Sequence, residues 1–397
     1  MHSLSADGAT LWERLTTLAR HGGRANGGVD RQALSDAEIT ARAKIVAWGR
    51  AAGLVPFTDD ATNLFLRLEG TNPDLPPVLA GSHIDTQPTG GKFDGALGVL
   101  VALEALESIK SAGVLPKRPI EAVAWMNEEG SRFAPGMMGS AVYTGARKLL
   151  DIMGIRDLSG KNVGEEIERV LGADCGISKR TLQRPIAAYL EVHIEQGPIL
   201  EREKKTIGIV SGIQGKRTFR VTVTGQEDHA GTSPRAMRRD ALAAAVRIIS
   251  AMQDAFWDDA DAVRFTVGQL LVEPNVPSVV PAKANFSVDL RHPVAEELTR
   301  LGDFVEPIAQ ANCGPCDVQV QQFLHDPPLT FPQDIRETIA EITNELGYDA
   351  MEIASGAGHD ARYLHYFCPT GMIFIPCKEG ISHHPSESIE PAHATAC

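Results

Sequence analysis

The chain has 397 residues, of which 43% are hydrophobic, and a formal net charge of −13. That length exceeds a single typical core and implies two domains. The acidic balance argues against nucleic acid or an anionic membrane surface as partner.

No apolar run reaches the ~18–20 residues that span a bilayer. The start, "MHSLSADGATLWERL", lacks a basic stretch before an apolar core, so no secretory signal is expected. Six cysteines in so long a chain make no disulfide framework and point to a reducing, cytoplasmic setting.

Residues 1–50 read as helical, with "ALSDAEITARAKIVAWGRAAG" apolar at helical spacing and ended by Gly53. Three segments then share one rhythm, an apolar strand running into polar residues and a helix: "PPVLAGSHIDT", "IEAVAWMNEEG" and "AAYLEVHIEQGP". Strands alternating with helices imply a mainly parallel sheet with helices on both faces. Ligands bind at the carboxyl ends of such strands, where all three polar clusters fall.

From about Gln214 the texture changes. "TFRVTVTG", "VRFTVGQLLV" and "KANFSVDLRH" alternate with period two around the helix "RRDALAAAVRIISAMQDAF". After a second helix (Glu296–Asn312) and "DVQVQQF", the α/β rhythm returns near Leu329. The expected architecture is a larger α/β domain of residues 1–213 and 329–397, with an inserted β-α-β-β-α-β domain at 214–328. The "CGPC" at Cys313–Cys316 follows a helix and precedes a strand, the reverse of the thioredoxin-like context, and reads as a turn.

Each polar cluster has an ordinary reading. A lone buried His is usually a hydrogen-bonded core residue, Asp94 is a fair helix N-cap, and "NEEGSRF" could be a solvated acidic helix start. Together they say more. Four segments supply ligand-type residues at equivalent strand ends: His83 and Asp94, Glu129, His193, and "GISHHPSE" with His383 and His384. Imidazoles and carboxylates without a thiolate suit a hydrolytic pair of Zn, Mn, Co or Ni ions.

In order, "GSHIDTQPTGGKFDGALGVL", "NEEGSRF", "EVHIEQGPILE", "DHAGTSP", "SGAGHDA" and "GISHHPSE" resemble the amidase/hydantoinase-carbamoylase family of dinuclear metallohydrolases. That family includes N-carbamoyl-L-amino acid hydrolases, allantoate amidohydrolases and β-ureidopropionases. The resemblance runs from about Gly81 to Glu387. It implies that His83 and His193 hold one metal, Glu129 and His383 the other, and that Asp94 bridges. Asp85 would orient the His83 imidazole, and Glu128 would be the general base. Adjacent residues at an extended strand end point to opposite sides, which would let Glu129 bind metal while Glu128 faces water. Ser-His, a variable residue and Pro select His383, with His384 the alternative ligand.

The resemblance also makes His229 the oxyanion donor, supplied across a homodimer. Gln196, Asn275 and Arg291 would recognise substrate, the Arg291 fork taking a carboxylate. Backbone N–H groups of the glycine loop around Gly358 could bind the same carboxylate, whereas His359 and Asp360 read as structural. Arg235 and His384 depart from the family pattern, which has Met and Asn there.

The expected activity is metal-dependent hydrolysis of N-carbamoyl-L-amino acids. Allantoate and N-carbamoyl-β-alanine are alternative ureido acid substrates, and a dipeptidase or deacylase is a more distant one. A non-catalytic metal-dependent binding protein competes from another class, but it would have no use for Glu128 beside Glu129.

Overall fold

The computed structural model describes residues 6–397. The chain forms two compact units, one of residues up to Ser211 with Phe331–Cys397, the other of Gly212–Thr330. These limits lie two residues outside 214–328 at either end, because Gly212 and Ile213 pair antiparallel with Thr330 and Leu329.

The larger unit is mixed α/β. The strands Thr370–Ile375, Ala188–Ile194, Val78–His83 and Ile120–Trp125 are neighbours in that order and run parallel. Antiparallel strands Ile207–Ile213 and Leu64–Leu68 flank them. Central strands of this kind are covered on both faces, which is why "VLAGSH" and "IEAVAW" are apolar runs rather than alternating ones. Leu79, Val123, Tyr189 and Phe374 are buried there. The helix Ala96–Ser111 packs over three of the parallel strands and buries Leu97, Leu100, Leu103 and Leu106.

Two details depart from the expected rhythm. The second polar cluster leads only to the short helix Met138–Tyr143, and the third only to one turn, Ile199–Arg202. Pro135 and Gly136 delay the first, and left-handed Lys204 (φ 54°) ends the second. At the chain start, helices Gly8–Leu18 and Asp36–Ala51 are capped by the side chains of Asp7 and Ser35.

In the smaller unit, Gly215–Thr224 lies between Lys283–His292 and Asp317–Asp326, all antiparallel. The first two strands alternate buried and less buried residues, and Val221, Phe286 and Val288 pack against the helix Ala241–Ala255. The segment "VRFTVGQLLV" is two short strands, Arg264–Thr266 and Leu270–Glu273, both on Lys283–His292. The helix over 296–312 divides at Phe304 into Ala295–Asp303 and Val305–Asn312. Cys313 and Cys316 sit in the turn after it, both as free thiols.

Candidate metal centre

His83 is the last residue of its strand, and His193 is the penultimate residue of the neighbouring parallel strand, so their rings meet with centroids 5.9 Å apart. Asp94 comes from the turn before the helix Ala96–Ser111. Its side chain does not cap that helix, whose N-cap is Gly95. Gly95 has φ +65°, and a Cβ there would lie 2.4 Å from the His83 ring, so glycine is required for both reasons.

Asp94 is shared between two groups of donors. Its Oδ1 is 3.1 Å from His193 Nε2 and 3.8 Å from His83 Nε2, while its Oδ2 is 3.1 Å from His383 Nε2. Glu129 Oε2 is 3.4 Å from the same His383 nitrogen, and Glu128 Oε2 is 3.6 Å from His83 Nε2. Two clusters result, His83–Asp94–His193 and Asp94–Glu129–His383, each with ligand atoms within 4.8 Å of one another. His384 belongs to neither and is hydrogen-bonded to Ser386 Oγ at 2.7 Å.

Glu128 and Glu129 reach the site differently from expectation. Their strand ends at Trp125, and left-handed Asn127 (φ 53°) turns the chain before either glutamate. The divergence of the two side chains therefore comes from an irregular turn, not from strand alternation. Asp85 holds that turn: its two carboxylate oxygens accept from the backbone N–H groups of Glu128 and Glu129 at 3.1 and 3.2 Å. His83 Nδ1 instead meets the Asp85 backbone carbonyl at 2.9 Å, with the carboxylate at 3.5 Å. Asp85 orients the imidazole mainly through its main chain.

Four further residues shape the site, and nothing in the sequence reading marked them. Buried Glu387 accepts from the backbone N–H groups of Phe93 (2.8 Å) and Asp94 (3.1 Å), which fixes the Asp94 turn. Ser382 Oγ bridges Asp94 and Glu387 at 3.2 Å each. Gln87 Nε2 donates to Glu129 Oε2 at 2.7 Å. Fully buried Arg31 donates from Nε to the Ile84 carbonyl at 2.7 Å and clasps Thr86 through its own backbone. Ser382 and Glu387 lie in "GISHHPSE" and Gln87 in "GSHIDTQPTGGKFDGALGVL", so membership of these motifs was the available signal, whereas Arg31 lies in none of them. Left-handed backbone at Asn127, Gln196 and His383 marks the same region as strained.

The electrostatics calls for positive charge. Burial pushes the Glu128 carboxyl well above the usual range, with Asp360 and Glu129 adding to it against the opposing pull of His83. Burial likewise raises Glu129 and Glu387 to about 7. Asp94 goes the other way: burial alone would raise it, but hydrogen bonds from His193 and His383 hold it well below the carboxylate range. The Asp94 hydrogen bond raises His383 to about 9. Among the described residues, no Lys or Arg pairs with Asp94, Glu128, Glu129 or Glu387, and Glu129 Oε1 is buried without a partner. Buried carboxylates whose cationic partners are imidazoles alone fit divalent cations.

Of the expected substrate residues, Gln196 donates through Nε2 to Asp94 Oδ2 (3.0 Å) and Ser382 Oγ (3.2 Å), so it lies at the centre. Gly358 is exposed on the loop before buried His359, whose ring packs edge-on against His193. The smaller unit carries the rest. His229 is exposed in the strand Asp228–His229, and its Nδ1 accepts from the N–H groups of Gly231 and Thr232, both at 3.0 Å. Those bonds leave Nε2 as the protonated, outward nitrogen. Asn275 is exposed at φ 56°, and Arg291 Nε donates to Asp289 Oδ1 at 2.9 Å.

An α/β unit with two histidine–carboxylate groups around one shared aspartate has the make-up of a metal-dependent hydrolase. The chain belongs to peptidase family M20/M25/M40, whose model matches residues 79–397. Several of its relatives carry names of the amidase branch that the six motifs resemble. It is 40% identical over 390 residues to an N-carbamoyl-L-amino-acid amidohydrolase of Rhizobium meliloti, covering 97% of this chain and 92% of that protein. An allantoate amidohydrolase of Bacillus subtilis is 35% identical over 380 residues, or 95% of this chain and 92% of its own length. Among solved structures, a hydantoinase/carbamoylase family amidase from Burkholderia vietnamiensis superposes with TM-score 0.89 at 42% identity, covering 100% of this chain and 96% of that one.

Proposed function

We propose that the protein hydrolyses the carbamoyl amide bond of N-carbamoyl-L-amino acids, releasing the amino acid, CO2 and ammonia. The observation that carries this reading is Glu128, a carboxylate beside two donor groups that share Asp94. Two divalent ions per subunit (Zn, Mn, Co or Ni) would be held by His83, His193 and Asp94 and by Asp94, Glu129 and His383. When bound, such ions supply Lewis acidity, polarising the carbamoyl carbonyl and acidifying water.

The chain's own groups do the rest. Glu128 takes a proton from the attacking water and delivers it to the leaving nitrogen, a role favoured by a carboxyl whose pKa burial has raised. His229 donates from Nε2 to the developing oxyanion, a role supported by the two N–H groups on its Nδ1. Arg291 grips the substrate carboxylate, turning from Asp289, while Gln196, Asn275 and backbone N–H groups near Gly358 orient the remainder.

The working form is a cytoplasmic homodimer in which residues 214–328 act as dimerisation and lid domain around a catalytic domain of 1–213 and 329–397. Cysteine usage supports the compartment. The edge strand Asp317–Asp326, paired on one side by Gly215–Thr224, supports association through this domain. No helix among the described residues is long and apolar enough to cross a membrane.

A second reading, allantoate amidohydrolase, is favoured by the relative of that name. β-Ureidopropionase is a further alternative. The deciding experiment measures ammonia release from N-carbamoyl-L-amino acids, allantoate, N-carbamoyl-β-alanine and dipeptides. It uses EDTA-treated protein before and after Mn2+, Co2+, Zn2+ or Ni2+ is restored. Turnover of N-carbamoyl-L-amino acids above the rest, only with metal, is expected. Preference for allantoate would move the assignment to the second reading, and full activity in metal-free protein would overturn both.

A further inference from the structure

The two donor groups around Asp94 are built differently. In one, His83 and His193 stand at strand ends, and each ring sets its Nδ1 against a main-chain carbonyl at 2.9 Å, those of Asp85 and Ile194. Both rings are buried, so the sheet itself fixes this group. The other stands on turns. His383 is about half exposed at a left-handed loop position, and Glu129 lies on the irregular turn past Trp125.

Among the described residues, one hydrogen bond reaches the Glu129 carboxylate: Gln87 Nε2 donates to Oε2 at 2.7 Å, while buried Oε1 has no such partner. Gln87 is itself anchored. Its carbonyl accepts from Gly90 N–H at 3.1 Å, and the N–H of adjoining Thr86 donates to the Arg31 carbonyl at 3.0 Å. The donor is also neutral. A lysine or arginine in its place would offset the Glu129 charge that a cation needs, whereas an amide fixes the carboxylate and leaves its charge intact.

We propose that Gln87 is a positioning residue that sets how tightly the Asp94–Glu129–His383 group holds a divalent ion, and leaves the His83–Asp94–His193 group unaffected. Without the amide, the Glu129 side chain has more orientations to lose when an ion binds, and the cost falls on its own group. Losing a hydrogen-bond partner of a ligand typically weakens metal binding by about 10–100-fold. The inference rests on the two-ion reading above.

The test is calorimetric titration of the EDTA-stripped full chain with Mn2+, for wild type, Gln87→Leu and Gln87→Asn. The first variant removes the amide and the second draws it back by one methylene. Gln87 is half-buried, so the stripped variants should unfold at the wild-type denaturant midpoint, which separates positioning from loss of fold. Expected are two ions per chain in the wild type. In both variants one ion should bind as before and the other about 10–100-fold more weakly. His383→Ala, which disables the second group, identifies the weakened ion, because adding Gln87→Leu to it should not change the affinity that remains. Two ions held by both variants as tightly as by the wild type, or a loss falling on the ion that His383→Ala retains, would overturn the role of Gln87 and leave the two-ion reading standing. A wild type that takes one ion or none would overturn that reading, and the proposal with it.

Discussion

Glu128 and Glu129 are neighbours in the chain whose surroundings separate their chemistry. Glu129 faces His383 and receives Gln87, while Glu128 faces His83 and has no amide donor on its carboxylate among the described hydrogen bonds. A carboxylate held by ligand-type partners on one side, beside one left free to exchange a proton, is the arrangement a metal ligand and a general base require. Glu128→Gln should therefore keep its bound metal and lose ~10²–10⁴-fold in turnover, the usual worth of a general base. Glu129→Gln should lose metal first, and activity as a consequence. Elemental analysis beside single-turnover rates checks the pair, and exchanged behaviour of the two variants would reverse the roles.

At the scale of elements, the parallel strands and their carboxyl-end clusters were legible because each strand is a short apolar run that stops in polar residues. What the sequence could not convey is how the turns beyond the strands are held. Glu387 grips the Asp94 turn from 293 positions away, and Arg31 clasps residues 84–86 from the chain's first fifth. Such contacts have no period and leave no local pattern. The Glu128–Glu129 turn is secured in the same manner. Arg132, just past it, pairs with Asp157 at 2.9 Å and with Glu166 at 3.1 Å and donates to the Ala33 carbonyl.

Asp157 makes that clamp pH-sensitive. Burial would raise its carboxyl, but hydrogen bonds from Ser159, Arg132 and Lys161 outweigh it and hold the pKa at about 2. A carboxyl depressed by folding stabilises the protein above its unfolded pKa of ~3.9 and loses that contribution as pH falls toward the folded value. Asp157→Asn should cost about 1–2 kcal/mol at pH 7. About half of that gap should remain at pH 3, by the same linkage. Denaturant midpoints of metal-stripped wild type and variant between pH 7 and 3 measure it, and a gap independent of pH would deny the charge any part.

Across the whole molecule, the groups proposed for catalysis are divided between two units of the chain. The ligands and Glu128 belong to the larger, and His229, Asn275 and Arg291 to the smaller. His229 presents its protonated nitrogen outward, and the strand Asp317–Asp326 leaves an edge for a second copy. Edges of that kind are commonly covered by association, and most soluble oligomers are twofold. On the proposed homodimer each site takes Glu128 from one chain and His229 of the partner subunit. Two inactive variants, Glu128→Ala and His229→Ala, should then complement. In a mixed dimer one site collects both defects and the other none. Refolding an equal mixture should yield about half mixed dimers by random pairing, and so roughly a quarter of wild-type activity. Absence of recovery, with subunit exchange shown by differently tagged chains, would assign His229 to the site of its own subunit and leave the lid reading without its dimeric half.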